Sequence, residues 1–139
     1  AGNPWGLTCL ATGCVDLDGS TSNAGDLVSK DGFFAGTYTL EFSLSGNQRN
    51  NPSDGLLVTL GNYSENFILS PTDPWTTFIR TVTVATDGDK LSFIHAGGDN
   101  IGILLDNVSV SQVPVPAAAF LFAPALLGFL GLRRKAKQA

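Results

Sequence analysis

The sequence predicts an all-β domain, an antiparallel β-sandwich of jelly-roll type with about eight short strands, followed by one C-terminal hydrophobic helix. Three observations lead there. Apolar residues alternate with period two between residues 15 and 112. Clusters of Gly, Asn, Asp and Pro interrupt the alternation at short intervals, as turns require. No segment before residue 113 keeps a 3.6-residue period long enough for a substantial helix.

The strands follow in order. Val15–Leu17 and a stretch near Leu27–Phe34 open the domain. In Thr37–Ser45, Tyr38, Leu40, Phe42 and Leu44 face one way, with Thr37, Thr39, Glu41 and Ser43 opposite. Leu56, Val58 and Leu60 repeat the pattern up to Gly61-Asn62, and Phe67 and Leu69 carry it to the stops at Pro71 and Pro74. Thr76–Val84 is rich in Thr and β-branched residues and ends at Asp87-Gly88-Asp89. Leu91 and Phe93 precede Gly97-Gly98-Asp99-Asn100, and Ile101–Ser111 closes the domain. This places residues 1–112 in the sandwich and 113–139 in a separate tail.

Charge divides the same way. The body holds all 12 acidic residues against Lys30, Arg49, Arg80 and Lys90, a formal −8, while the tail holds four basic residues and no acid. An acidic body argues against a nucleic-acid partner, whose phosphates need clustered Lys and Arg. With its start at Ala1-Gly2-Asn3, the chain reads as an exported product whose signal peptide is gone. Cys9 and Cys14 have no companion His or Cys for a metal site. They form either a local disulfide, whose small ring is worth about 2 kcal/mol in the chain-entropy model, or two buried thiols.

Two charges break the alternation. Arg80 shares parity with Phe78, Val82 and Val84, and Asp106 with Leu104, Val108 and Val110. An unpaired buried charge is costly, which leaves three readings. Arg80 pairs with a carboxylate, Asp106 being one choice. Alternatively, Asp106 ligates a structural Ca²⁺ with Asp16, Asp18 or backbone carbonyls, since Ca²⁺ takes six to eight oxygens. In the third reading a bulge shifts the parity by one residue.

Catalytic chemistry is sparse. His95 is the only histidine, and no nucleophile elbow, paired carboxylates or phosphate-binding glycine loop accompanies it; most Asp residues sit in turns. The expectation is a non-enzymatic protein with a structural histidine. Trp75, after Pro74, and Tyr63, in the turn Gly61-Asn62-Tyr63, are candidate platforms for a sugar ring, with Asn47, Gln48, Arg49, Asn50 and Asn51 as hydrogen-bonding neighbours. Their competing role is that of loop residues covering the ends of the sandwich.

Val113–Leu132 is 20 residues, about 30 Å as a helix, which just spans a bilayer core. Pro124 interrupts it, which membrane helices tolerate. Small residues such as Ala117, Gly128 and Gly131 let helices approach closely, and the basic end suits a cytoplasmic membrane face. The order of parts, Val113-Pro114-Val115-Pro116, then Ala117–Leu132, then Arg133, Arg134, Lys135 and Lys137, resembles the PEP-CTERM sorting signal, with Val115 standing where that family has Glu. The resemblance implies export, a membrane-held intermediate, processing by exosortase, and a destination at the cell surface or in the extracellular matrix. In the body, CVDLDGS (14–20), GTYTLEFSLSGNQRN (36–50), DPWTTFIRTVTVA (73–85) and AGGDNIGILLDNVSV (96–110) are similar to galactose-binding-like jelly rolls. The LLDNVSV strand is similar to carbohydrate-binding modules whose Asp holds a structural calcium, and that likeness implies the same role for Asp106. Such domains usually begin with a further strand, so an edge here is open to pairing between subunits.

Two functions follow. The first is a structural or adhesive surface protein that self-assembles into a filament or surface layer, packed through its C-terminal helices with the acidic sandwiches outside. The second is a surface-anchored carbohydrate-binding module with polysaccharide as its partner.

Overall fold

The computed structural model describes residues 3–21, 23–50 and 52–116. Among the described residues eight strands form: β1 Val15–Asp16, β2 Asp26–Val28, β3 Gly36–Ser45, β4 Asp54–Leu60, β5 Tyr63–Leu69, β6 Thr76–Val84, β7 Ser92–His95 and β8 Leu104–Gln112. They build two four-stranded antiparallel sheets in the orders β1-β8-β3-β6 and β2-β7-β4-β5. The two sheets face each other as a β-sandwich. The predicted helix and basic end, Ala117 to Lys137 with Gly128, Gly131, Leu132, Arg133, Arg134 and Lys135, lie outside the described residues. Val113–Pro116 continues from β8 without regular structure and is exposed, held at its start by Val113 N–H donating to Thr37 O at 2.8 Å.

The alternating apolar residues meet between the sheets. Leu40, Phe42 and Leu44 of β3, Val58 and Leu60 of β4, and Val82 and Val84 of β6 are essentially inaccessible to water. Phe42 is the hub, with ring centroids 5.7, 5.6 and 5.6 Å from Phe67, Phe78 and Phe93, distances at which aromatic pairs add to burial.

The two charges that break the pattern resolve differently. Arg80 does face inward, but β5 and β6 are neighbouring sheet edges, and its partner is Glu65 across the gap. Nε and Nη2 donate to the two carboxylate oxygens at 2.8 and 2.9 Å, and the guanidinium lies 5.5 Å over the Phe78 ring. Asp106 is not that partner. β8 carries one extra residue between the pairs Glu41↔Ser109 and Ser43↔Asp106, with Asn107 in the left-handed region at φ 52°. The bulge shifts parity, so Leu105 pairs with Leu44 in the core and Asp106 turns away from it beside Ser43.

Strand directions gather the β3–β4, β5–β6 and β7–β8 connections, together with the segment after β1, at one end of the sandwich. There Gly46 lets two loops touch: a Cβ on it would lie 1.9 Å from Ser70 O. Gly46 N–H donates to Asp73 O and Gln48 N–H to Pro71 O, both at 3.0 Å.

Candidate functional site

At this end the docked loops and Thr8 of the N-terminal segment enclose an open cleft of about 430 Å³, lined among others by Thr8, Gln48, Asn50, Thr72, Asp73 and Trp75, within the size range of small-ligand sites. The wall is built locally. Asp73 closes the β5–β6 turn by accepting Ser70 N–H at 2.7 Å, and Pro74 then delivers Trp75 at the mouth of β6.

Gln48 acts as a clamp. It sits in the left-handed region at φ 59°, where a side chain is disfavoured unless its surroundings hold it. Its carboxamide pairs with the Thr8 backbone as a peptide group would: Oε1 accepts Thr8 N–H at 2.8 Å and Nε2 donates to Thr8 O at 3.0 Å. The second Nε2 hydrogen points to Ser45 Oγ at 3.2 Å. Trp75 Nε1–H also donates to Thr8 O, at 2.7 Å. These bonds pin residue 8 onto the core domain across 40 and 67 residues of chain. The segment is fastened again by the Cys9–Cys14 disulfide and by Ala11 N–H donating to Asp106 Oδ2 at 3.3 Å.

The expected sugar-contacting residues therefore separate. Trp75 and Gln48 share the cleft, but Gln48 has spent both its donors on the protein. Asn47 is fully buried and structural: Nδ2 donates to Asp54 Oδ2 at 2.9 Å and to Pro52 O at 3.2 Å, and Oδ1 accepts Arg49 N–H at 2.9 Å. Arg49 spends Nη2 on an ion pair with Asp16 Oδ2. Tyr63 begins β5 at the opposite end of the strand from the cleft, packs on the core, and donates to Glu65 Oε2 at 2.6 Å. Burial and then the Glu65 hydrogen bond push its phenol pKa up. It does not line the cleft that holds Trp75. In their place Asn50, Thr8 and Thr72 carry polar groups to the cleft.

The proposed calcium ligands are committed elsewhere. Asp16 Oδ1 accepts Asp18 N–H at 3.1 Å, and its other oxygen holds Arg49. Asp106 takes Ala11 N–H and, at 2.7 Å, Asn107 N–H. Buried Asp18 caps the β7–β8 loop, Oδ2 accepting Asn100 N–H at 2.9 Å and Asp99 N–H at 3.3 Å. Only its Oδ1 is buried without a partner, one carboxylate oxygen against the six to eight that Ca²⁺ takes. Among the described residues no three His, Cys, Asp or Glu side chains gather as a metal site. His95 is buried on β7 with Nδ1 3.0 Å from Gly97 N and Nε2 3.3 Å from Ile103 N, so its contacts are with the loop backbone. Asp54 stands close enough to feel His95, and burial above all raises its carboxyl pKa.

No protein-family model matches the chain, and no curated protein does. Among solved structures it is similar to the EclA C-terminal domain, a sugar-binding protein, at 12% identity and TM-score 0.56, over 80% of this chain and 86% of that one. A structure described as CBM4 aligns at 17% identity and TM-score 0.47 over 68% and 78% of the two chains. A family 35 carbohydrate-binding module from Clostridium thermocellum aligns at 15% identity and TM-score 0.42 over 68% and 73%.

Proposed function

We propose that this protein is an exported, non-enzymatic carbohydrate-binding module whose cleft at the loop end of the sandwich binds a glycan. One observation carries the reading: Trp75 lines an open cleft together with Asn50, Thr8 and Thr72. An aromatic face next to neutral hydrogen-bonding groups matches a sugar, which is apolar on the faces of its ring and hydroxylated around its rim. The sandwich shared with a sugar-binding domain supports the same reading. It is preferred over the filament or surface-layer subunit, which rests on residues beyond Pro116.

Isothermal titration calorimetry of the full chain with ligands selected on a glycan array tests the proposal. Binding to one glycan class is expected, falling at least tenfold in Trp75→Ala and in Asn50→Ala. Because Trp75 also holds Thr8, Trp75→Phe separates the roles: it removes the N–H and keeps a stacking ring, so it retains more affinity than Ala. No binding, or binding indifferent to both positions, overturns the reading.

A further inference from the structure

The N-terminal segment carries a second aromatic platform next to this cleft. Asn3-Pro4-Trp5-Gly6 is a β-turn, with Asn, Pro and Gly at positions that turns favour. Gly6 N–H donates to Asn3 O at 3.2 Å. The Asn3 side chain locks the turn further, accepting Leu7 N–H at 3.0 Å and donating to Leu7 O. At the tip of this small hydrogen-bonded loop Trp5 leaves 66% of its surface in water.

An exposed indole is ordinary, but this one is positioned. The Arg49 guanidinium, itself fixed by Asp16, lies 6.0 Å from the Trp5 ring centroid, at the reach of a cation–π contact. A hollow of about 480 Å³ lies alongside, lined among others by Asn3, Trp5, Leu7 and the Cys9–Cys14 disulfide. Thr8, which lines the first cleft, stands in sequence between Leu7 and Cys9, which line this hollow, so the two depressions flank the same segment. Trp5 and Thr8 are three residues apart, at most ~11 Å between Cα atoms. A chain of joined sugar rings spans such a distance; a single ring does not.

Charge narrows the class. Of the four basic residues in the body, Arg49 and Arg80 are paired with carboxylates. Neither depression is lined by Lys or by Arg, and the cleft contains Asp73. An anionic polysaccharide would meet an acidic domain whose one cation beside the platform, Arg49, is already paired with Asp16.

We infer that Trp5 forms a second subsite, and that the ligand is a neutral oligosaccharide running from Trp75 past Thr8 to Trp5. The inference rests on the glycan-binding reading and extends it. Titrations of the full chain with cellohexaose, mannohexaose, xylohexaose, their disaccharides and hexagalacturonate test it. For one neutral series, wild-type affinity is expected to rise at least tenfold from disaccharide to hexasaccharide. That rise is expected to vanish in Trp5→Ala and return in Trp5→Phe. The chain has two tryptophans, so in Trp75→Phe Trp5 is the one indole left to emit, and the bound hexasaccharide should shift its fluorescence. If the length dependence survives in Trp5→Ala while Trp75→Ala abolishes binding, the second subsite is wrong and the first cleft stands. Preferred binding of hexagalacturonate overturns the neutral class. If the wild type binds no sugar offered, both readings fall.

Discussion

Replacing Gln48 by alanine tests the clamp that builds the cleft. The substitution removes three hydrogen bonds, to Thr8 N–H, Thr8 O and Ser45 Oγ. Each is worth about 0.5–1.5 kcal/mol net. Two of the three are exposed, and Thr8 O keeps its bond from Trp75, so the low end applies. The expected loss is about 1.5–2 kcal/mol, or roughly 6–16 °C in Tm for a domain of this size. Glycine at the same position gives an internal control. It too loses the clamp, but it removes the cost of a side chain at φ 59°, about 1–2 kcal/mol, less about 0.4–1 kcal/mol of extra unfolded-state freedom. Gln48→Gly should therefore be more stable than Gln48→Ala by about 0.5–1 kcal/mol. Urea denaturation followed by circular dichroism measures both, and hydrogen exchange should show residues 3–14 losing protection in each variant. An alanine variant within 0.5 kcal/mol of wild type, or a glycine variant below alanine, would refute the reasoning.

Three further outcomes follow. Phe42 is fully buried among three rings, so Phe42→Ala should cost about 3–5 kcal/mol, read as a fall in the urea midpoint; a loss under 1.5 kcal/mol would contradict its place as hub. Hydrogen bonds from Arg80, then Tyr63, hold Glu65 below its ordinary pKa of 4.5. Its stabilisation is therefore present above that value and lost as pH falls through the lower folded pKa. Asp54, raised chiefly by burial above 3.8, runs the opposite way, contributing below its ordinary pKa and losing that contribution as pH rises through its folded value. In melts from pH 7 to pH 3, Glu65→Gln should be destabilised at pH 7 by at most about 1 kcal/mol, as for an exposed pair, with the deficit shrinking in acid. Asp54→Asn should gain on wild type as pH rises; parallel curves would reject both assignments. Because the Asp16, Asp18 and Asp106 carboxylates are engaged in bonds within the protein, we expect a Tm unchanged by chelator, and a drop of several degrees would show a bound ion.

Much of the fold was legible because a strand states its two faces residue by residue, as in Tyr38 to Leu44 or Leu56 to Leu60. The exceptions are physical. Nothing local announces the bulge at Asn107, yet it reverses the parity of every residue beyond it, so Asp106 reads as inward until β8 is paired with β3. The inward parity of Arg80 is visible in β6, but its partner is chosen by the way two sheet edges face each other. The site was half legible. Trp75 stood out as a bulky ring after a proline break. Thr8 gave no signal, because its part depends on a clamp from Gln48 across 40 residues, and Gln48 itself reads as an ordinary loop amide. The Asn-Pro-Trp-Gly turn was readable as a turn, but its position beside the cleft comes from Arg49 and Asp16, which only the fold brings together.

The central claim is that a glycan sits in the cleft formed by Thr8, Asn50, Thr72 and Trp75. Amide chemical-shift mapping of the ¹⁵N-labelled full chain, titrated with the tightest-binding hexasaccharide, tests it most directly. The account predicts that the largest saturable shifts fall on residues 5–8, 48–50 and 71–75, with the Trp75 indole N–H among them and the Tyr63–Glu65–Arg80 edge unmoved. Shifts centred on that edge or on the outer sheet faces, with the loop end silent, would contradict it.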